Sequence, residues 1–414
     1  MRISAVDALE VLDSRGKPTV RAVVKCDDGS VHTATVPSGA STGSHEAVEL
    51  RDNNPSRYLG FGVQNAVQHV KKEISDLLVG KLLDEPQKLD ILMKNLDGTP
   101  NKSRLGANAV LAVSLAIHRA GAQTNHIPLW NYLHSLYFSS VQPSFPRLMV
   151  NVVNGGKHAG WNFDIQEFMI SPTATEPSQS VRVASEIFLQ LGLHLKKRNL
   201  STLVGDEGGY SPLLSSNEEV LEAIHLAGQD REYHLQKEYD FCVDAAATEF
   251  FKEGSYFFKK TNQKFSGKEL ADYYHTLGKT YNILSFEDPF AEDDWESFTH
   301  FTAMEKNEHK IIVGDDLYVT DPKRIAKGVQ MQATNAVLIK PNQIGTVSET
   351  AEAINQTRKA GWSIVISHRS GETEDSFIAD LAFGCAAHFI KTGSMSRSER
   401  LAKYNRLLEI EKGI

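Results

Sequence analysis

The chain has 414 residues, 41% hydrophobic and 23% charged, a composition typical of soluble globular proteins and far from disordered, collagenous or coiled-coil chains. That length exceeds what a single small core serves, so one large barrel or two domains is expected. A formal charge of −8 disfavours nucleic acid as a partner, and Cys26, Cys242 and Cys385 are scattered without a Cys-x-x-Cys, which suggests neither a disulfide framework nor a zinc site and fits a reducing compartment.

The first residues, MRISAVDALE, lack the apolar core of a secretory signal, and the apolar stretch Ala109 to Ile117 is too short to span a bilayer, so a cytoplasmic protein with no membrane partner is expected. Residues 3 to 36 alternate apolar and polar positions in short runs around Asp27-Asp28-Gly29, which predicts an antiparallel hairpin with an Asp-Gly turn. From Asn65 to about Gly121 the spacing becomes helical, and NAVLAVSLAIHRAGA is apolar on every face, as a buried helix is. A small α+β domain over residues 1–141 is expected to end at the proline-bounded QPSFP, with a second domain over 142–414.

Beyond Pro146, apolar runs of strand length alternate with segments of helical period, the pattern of βα units and a parallel sheet. Six of these runs end in an ionisable residue: FCVD in Asp244, ILSFE in Glu287, IIVGD in Asp315, AVLIK in Lys340, SIVISH in His368 and HFIK in Lys391. A single charged residue at a strand end is what any wet loop supplies. Six in series, in a parallel barrel whose strand ends open on one face, would converge on one mouth.

Asp244, Glu287 and Asp315 form a hard all-oxygen set suited to Mg²⁺ rather than zinc or copper. Three converging anions also need a cation to offset their repulsion and desolvation. Lys340 faces the same mouth, where a neighbouring cation and low dielectric would favour the neutral amine and let it act as a base; the alternative is a lysine paired with an acid. Arg369 and Ser370 follow a strand directly, and a guanidinium beside a hydroxyl makes a phosphate clasp. Glu167 in IQEFMI and Glu207 in VGDEGGY are candidates for a general acid or for structural salt bridges. The loop VPSGASTGSHEA, rich in small residues, reads as a mobile lid or an inert turn. GFGVQN lacks the last glycine of a dinucleotide fingerprint, and no Walker A pattern occurs.

Taken together, LDSRGKPTV, PSGASTG, NGGKHAGWNFDIQEFM, GDEGGYSP, FCVDAAATEFF, SFEDPFAEDDW, VGDDLYVT, IKPNQIGT, SHRSGETED and IKTGSMSRSERLAKYN resemble the enolase family in order and over nearly the whole chain. The resemblance implies an α/β fold, a modified TIM-type (β/α)8 barrel preceded by a smaller α+β domain, with one early strand antiparallel to the rest. It implies interconversion of 2-phosphoglycerate and phosphoenolpyruvate with two Mg²⁺ per active site. Asp244, Glu287 and Asp315 would bind the first ion and Ser41 the second. Lys340 would be the base and Glu207 the acid, with Glu167 beside it. Gln166, His158, His368, Arg369, Ser370 and Lys391 match positions that hold substrate. A homodimer or higher homo-oligomer is implied as well, although Leu9 stands where the family usually has arginine at the subunit contact. Pro341 also departs from the family after the base, where it fixes the backbone and leaves the Lys340 amine untouched. A superfamily relative acting on a different acid, or a non-catalytic binding protein, would be expected to lack the phosphate clasp, the base or the acid.

Overall fold

The computed structural model describes residues 1–39 and 43–414, with the backbone alone at His158. Ser41, expected to bind metal, lies outside the described residues, as do Ala40 and Thr42 of the glycine-rich loop.

The N-terminal segment forms a three-stranded antiparallel sheet of β1 (Ile3–Leu12), β2 (Pro18–Cys26) and β3 (Val31–Thr35). The predicted Asp-Gly turn joins β2 to β3, with Gly29 at φ +88° and the Ser30 N–H donating to Asp28 Oδ1. Strand β1 widens the expected hairpin into a meander. The helix Ala107–Thr124 packs against β2 and β3 on one side, and on the other the Ser114 hydroxyl receives the Val347 N–H at the start of a barrel helix. Protein on both sides is why this helix is apolar all round. No helix among the described residues is long and apolar enough to cross a membrane.

From Arg147 onward the chain builds a closed eight-stranded barrel. Its strands are β4 (Arg147–Asn154), β5 (Glu167–Pro172), β6 (Tyr239–Asp244), and, after a small three-stranded sheet of β7 (Phe251–Lys252), β8 (Ser255–Phe258) and β9 (Gln263–Phe265), β10 (Ile283–Glu287), β11 (Ile311–Gly314), β12 (Ala336–Ile339), β13 (Ser363–Ser367) and β14 (Phe389–Lys391). Around the barrel the order is β10, β11, β12, β13, β14, β4, β5, β6. Every neighbouring pair is parallel except those made by β5, which runs antiparallel to both β4 and β6. Periodicity alone carries no direction, so the reversal follows from the resemblance and not from the pattern.

The barrel interior is a compact apolar plug that includes Met149, Met169, Cys242, Val313, Leu338, Val365 and Phe389. Because side chains alternate along a strand, the residue two positions toward the mouth also faces inward. Those residues are Asn151, Glu167, Asp244, Asp315, Lys340, Ser367 and Lys391. On β5 the step runs backward along the chain, from Met169 to Glu167, and the antiparallel register sets Glu167 opposite Asp244.

Packing is tight where the helix Ala107–Thr124 meets the helix Leu129–Tyr137: a Cβ on Gly121 would stand 2.2 Å from the Tyr132 hydroxyl. Gly121→Ala should therefore destabilise the protein by about 1–3 kcal/mol, overpacking outweighing the gain in helix propensity. A urea unfolding midpoint equal to or above that of the unmodified chain would contradict the packing account.

Candidate active site

The ionisable side chains at the barrel mouth meet in a cleft of about 330 Å³ lined by Gln166, Glu167, Glu207, Asp244, Asp315, Lys340, Ser367, His368, Arg369, Ser370 and Lys391. Its centre is the Lys391 ammonium, which is 2.8 Å from Glu287 Oε1, 2.9 Å from Asp244 Oδ2 and 3.3 Å from Glu167 Oε1. Burial alone would lower the Lys391 pKa, but Asp244, Glu167 and Glu287 outweigh it and hold the ammonium well above its ordinary range. The acids respond in the opposite sense. Burial, then the neighbouring Glu207 carboxylate, drives Glu167 well above the usual carboxylate range, and burial with Asp244 does the same to Glu287.

Lys340 directly follows β12 and precedes the short helix Pro341–Ile344, whose first position suits proline. Its ammonium is paired with Asp315 Oδ2, while Gln343 Nε2 donates to Asp315 Oδ1 at 3.0 Å. The sequence reading expected this environment to favour the neutral amine. Burial does act that way, yet Asp315 and Glu287 outweigh it, so Lys340 is held above its ordinary value and is charged in this state. The same pairing overcomes the effect of burial on Asp315 and keeps that carboxyl below its usual range.

Glu207 arrives on a loop rather than a strand. The left-handed Gly208, φ +87°, makes the turn, and the loop is bridged to β4 through Val153 and Tyr210. Asn151 Nδ2 donates to Glu207 Oε2 at 3.0 Å, and His368 Nε2 faces Glu207 Oε1 at 3.5 Å. Burial lowers the His368 pKa well below the usual imidazole range despite the pull of Glu207. Arg369 reaches toward the first domain: its two terminal nitrogens donate to the Glu46 carboxylate at 2.9 and 3.1 Å, and one also donates to Asn342 Oδ1 at 3.0 Å. Ser370 sits beside it, with its carbonyl accepting from Arg400.

The structure thus gathers Gln166, Glu167, Glu207, Asp244, Asp315, Lys340, His368, Arg369, Ser370 and Lys391 at one mouth. Glu287 enters through its contact with Lys391, and for His158 only the backbone, in the turn Gly156–Ala159, is described. It also brings in residues that reading did not name. Asp288 and Asp316 follow Glu287 and Asp315 directly, and the doublets Glu-Asp and Asp-Asp were the available signal. Among the described residues, Asp288, Asp315 and Asp316 offer carboxylate oxygens that lie within 4.8 Å of one another, a group able to hold a cation. Asp288 accepts the backbone N–H groups of Asp315 and Asp316, and burial with the Asp316 and Asp315 charges raises it well above the usual range. Asp316 is pushed up to about 8 by burial and by Asp315. Glu46, Asn151 and Arg400 had no distinguishing signal, because each acts only through a partner remote in sequence.

The donors fit a hard divalent cation. They are oxygens of carboxylates, the buried acids outnumber the buried bases among the described residues, and Glu167 Oε2 and Gln166 Oε1 are buried without a hydrogen-bond partner there.

Two family models match the chain: "Enolase, N-terminal domain" over residues 3–133 and "Enolase, C-terminal TIM barrel domain" over residues 142–414. With an N-terminal meander, a closed barrel containing one reversed strand, and matches that span nearly all of its length, the chain belongs to the enolase family.

Proposed function

We propose that this chain is a hydro-lyase that interconverts 2-phospho-D-glycerate and phosphoenolpyruvate plus water, the step shared by glycolysis and gluconeogenesis. The observation that carries the reading is the shared cleft: a lysine, a carboxyl reached from the opposite arc, and an arginine-serine pair line the same space. Removing a proton beside a carboxylate builds a second negative charge on the same group, so the site must supply cations on one side and a proton donor on the other.

Asp244, Glu287 and Asp315 are the proposed holders of one Mg²⁺, and Ser41 contributes to a second. Bound Mg²⁺ supplies positive charge against the substrate carboxylate as charge accumulates there. Lys340 takes the C2 proton, for which it must first lose its own; its ammonium is stabilised by Asp315, a pairing that a cation held by Asp315 would weaken. Lys391 stays charged and faces the accumulating charge. Glu207 protonates the departing 3-hydroxyl, with the raised carboxyl of Glu167 beside it. Gln166, His158 and His368 orient the carboxylate and hydroxyl ends, while Arg369 and Ser370 hold the phosphate. We further propose a cytoplasmic homodimer or higher homo-oligomer. Leu9, half exposed on the edge strand β1, leaves an apolar contact there in place of a charged one.

Purified protein with Mg²⁺ should produce the ultraviolet absorbance of phosphoenolpyruvate from 2-phosphoglycerate; sustained inactivity would favour a relative acting on another acid. Lys340→Ala should lower exchange of the C2 proton with solvent at least about 100-fold, the scale of a lost general base. In Glu207→Gln that exchange should persist while dehydration falls by a similar factor. Exchange that persists in Lys340→Ala, or loss of both activities in Glu207→Gln, would undo the division of roles.

Asp316 generates a stability prediction. Its folded pKa of about 8 lies above the unfolded value of 3.8, so the folded state binds more protons between them and stability falls as pH rises through 8. In EDTA the urea midpoint should drop between pH 7 and 8.5. With Mg²⁺ the drop should shrink, because a bound cation favours the ionised carboxylates. An identical decline in both buffers would count against metal binding at this cluster.

A further inference from the structure

His368 follows β13, and its Nδ1 lies 2.7 Å from an Arg400 terminal nitrogen. Arg400 belongs to the C-terminal helix Ser398–Glu411 and is 0% exposed, the largest fully buried side chain in the molecule's described part. Its guanidinium is spread over three carbonyls from two separate segments: Arg369 at 2.5 Å, Ser370 at 2.5 Å and Asp206 at 3.1 Å. A guanidinium donates hydrogen bonds and never accepts them. Pinned on those oxygens, it cannot turn away from the imidazole, so the ring nitrogen it meets must present a lone pair.

We propose that Arg400 is a positioning residue that fixes His368 as the neutral tautomer protonated on Nε2, making His368 a hydrogen-bond donor into the cleft and barring it from accepting a proton there. With Nδ1 committed to Arg400, the ring proton sits on Nε2, 3.5 Å from Glu207 Oε1. The surroundings reinforce this: burial opposes a second ring proton, Glu207 favours it, and Arg400, Lys391 and Lys340 oppose it. One consequence rests on the reading of Glu207 as the acid. After Glu207 has released its proton, an adjacent N–H stabilises the carboxylate left behind, and a histidine unable to take that proton cannot compete with the departing hydroxyl for it. The tautomer itself does not depend on that reading.

The test is long-range ¹H–¹⁵N correlation on the full chain labelled at its 15 histidines, from pH 5.5 to 8, with the His368 signals identified by their loss in His368→Gln. The expected spectrum has Nδ1 in the unprotonated range, Nε2 in the protonated range, and no titration across the series. Arg400→Met, checked for folding by circular dichroism, should shift Nδ1 toward the protonated range and make His368 titrate. Its kcat/KM should gain an acidic limb near the free imidazole value of about 6.5 that the unmodified protein lacks. A protonated Nδ1 or a titrating His368 in the unmodified protein overturns the proposal, and so does a folded Arg400→Met whose His368 spectrum is unchanged. If Arg400→Met does not fold, the unmodified spectrum decides alone. If 2-phosphoglycerate is not turned over, the proposed function falls and the spectrum still judges the tautomer.

Discussion

One ammonium among three carboxylates governs the mouth of this barrel. Lys391 is 3% exposed and touches Asp244, Glu287 and Glu167, each from a different strand. A carboxylate buried without a partner costs several kcal/mol, and three facing one another cost more. The cluster is stable because it divides the problem: one part of the charge is met by Lys391, another by Lys340 on Asp315, and the remainder is removed by protonating acids whose pKa is driven up. Such an arrangement is poised for a divalent cation. A bound ion would replace protons and release lysines, linking metal occupancy to lysine protonation through the same carboxylates.

How much of this was legible in the sequence follows from which interactions are local. Apolar runs ending in Asp244, Asp315, Lys340 and Lys391 announce themselves because alternation along a strand ties a core residue to the rim residue two places on. That tie is a property of the chain itself. The helix Ala107–Thr124 was equally plain, since its all-round hydrophobicity reports protein on both sides. Strand direction is not written in periodicity, so the reversal of β5 and the consequent arrival of Glu167 at the rim needed the family resemblance. The partner of Lys340 was hidden for a related reason. Burial was anticipated, but Asp315 as its immediate partner depends on the register of two neighbouring strands.

Tertiary partners account for what remained hidden. Glu46 is one acid in a polar loop until the first domain docks on the barrel. Only then does its carboxylate meet Arg369, with Glu46 Oε1 also accepting the Gly43 N–H at 3.0 Å. The small domain therefore does more than cover the barrel. It supplies the anion that neutralises and orients the guanidinium proposed to hold phosphate, and the Ser38 N–H donates to the Gly371 carbonyl close by, so both chain segments are fastened at the same place.

Position around the rim would keep the proposed base and the proposed acid from exchanging a proton directly. Lys340 lies just beyond β12 and is bound to Asp315 beyond β11, whereas Glu207 is held by Asn151 on β4. Between β12 and β4 stand β13 and β14, which contribute His368 and Lys391. A charged Lys391 cannot receive a proton, and a His368 whose second nitrogen is occupied by Arg400 cannot relay one. On the proposed tautomer, the groups between Lys340 and Glu207 donate and do not accept, with the buried Arg400 guanidinium behind them.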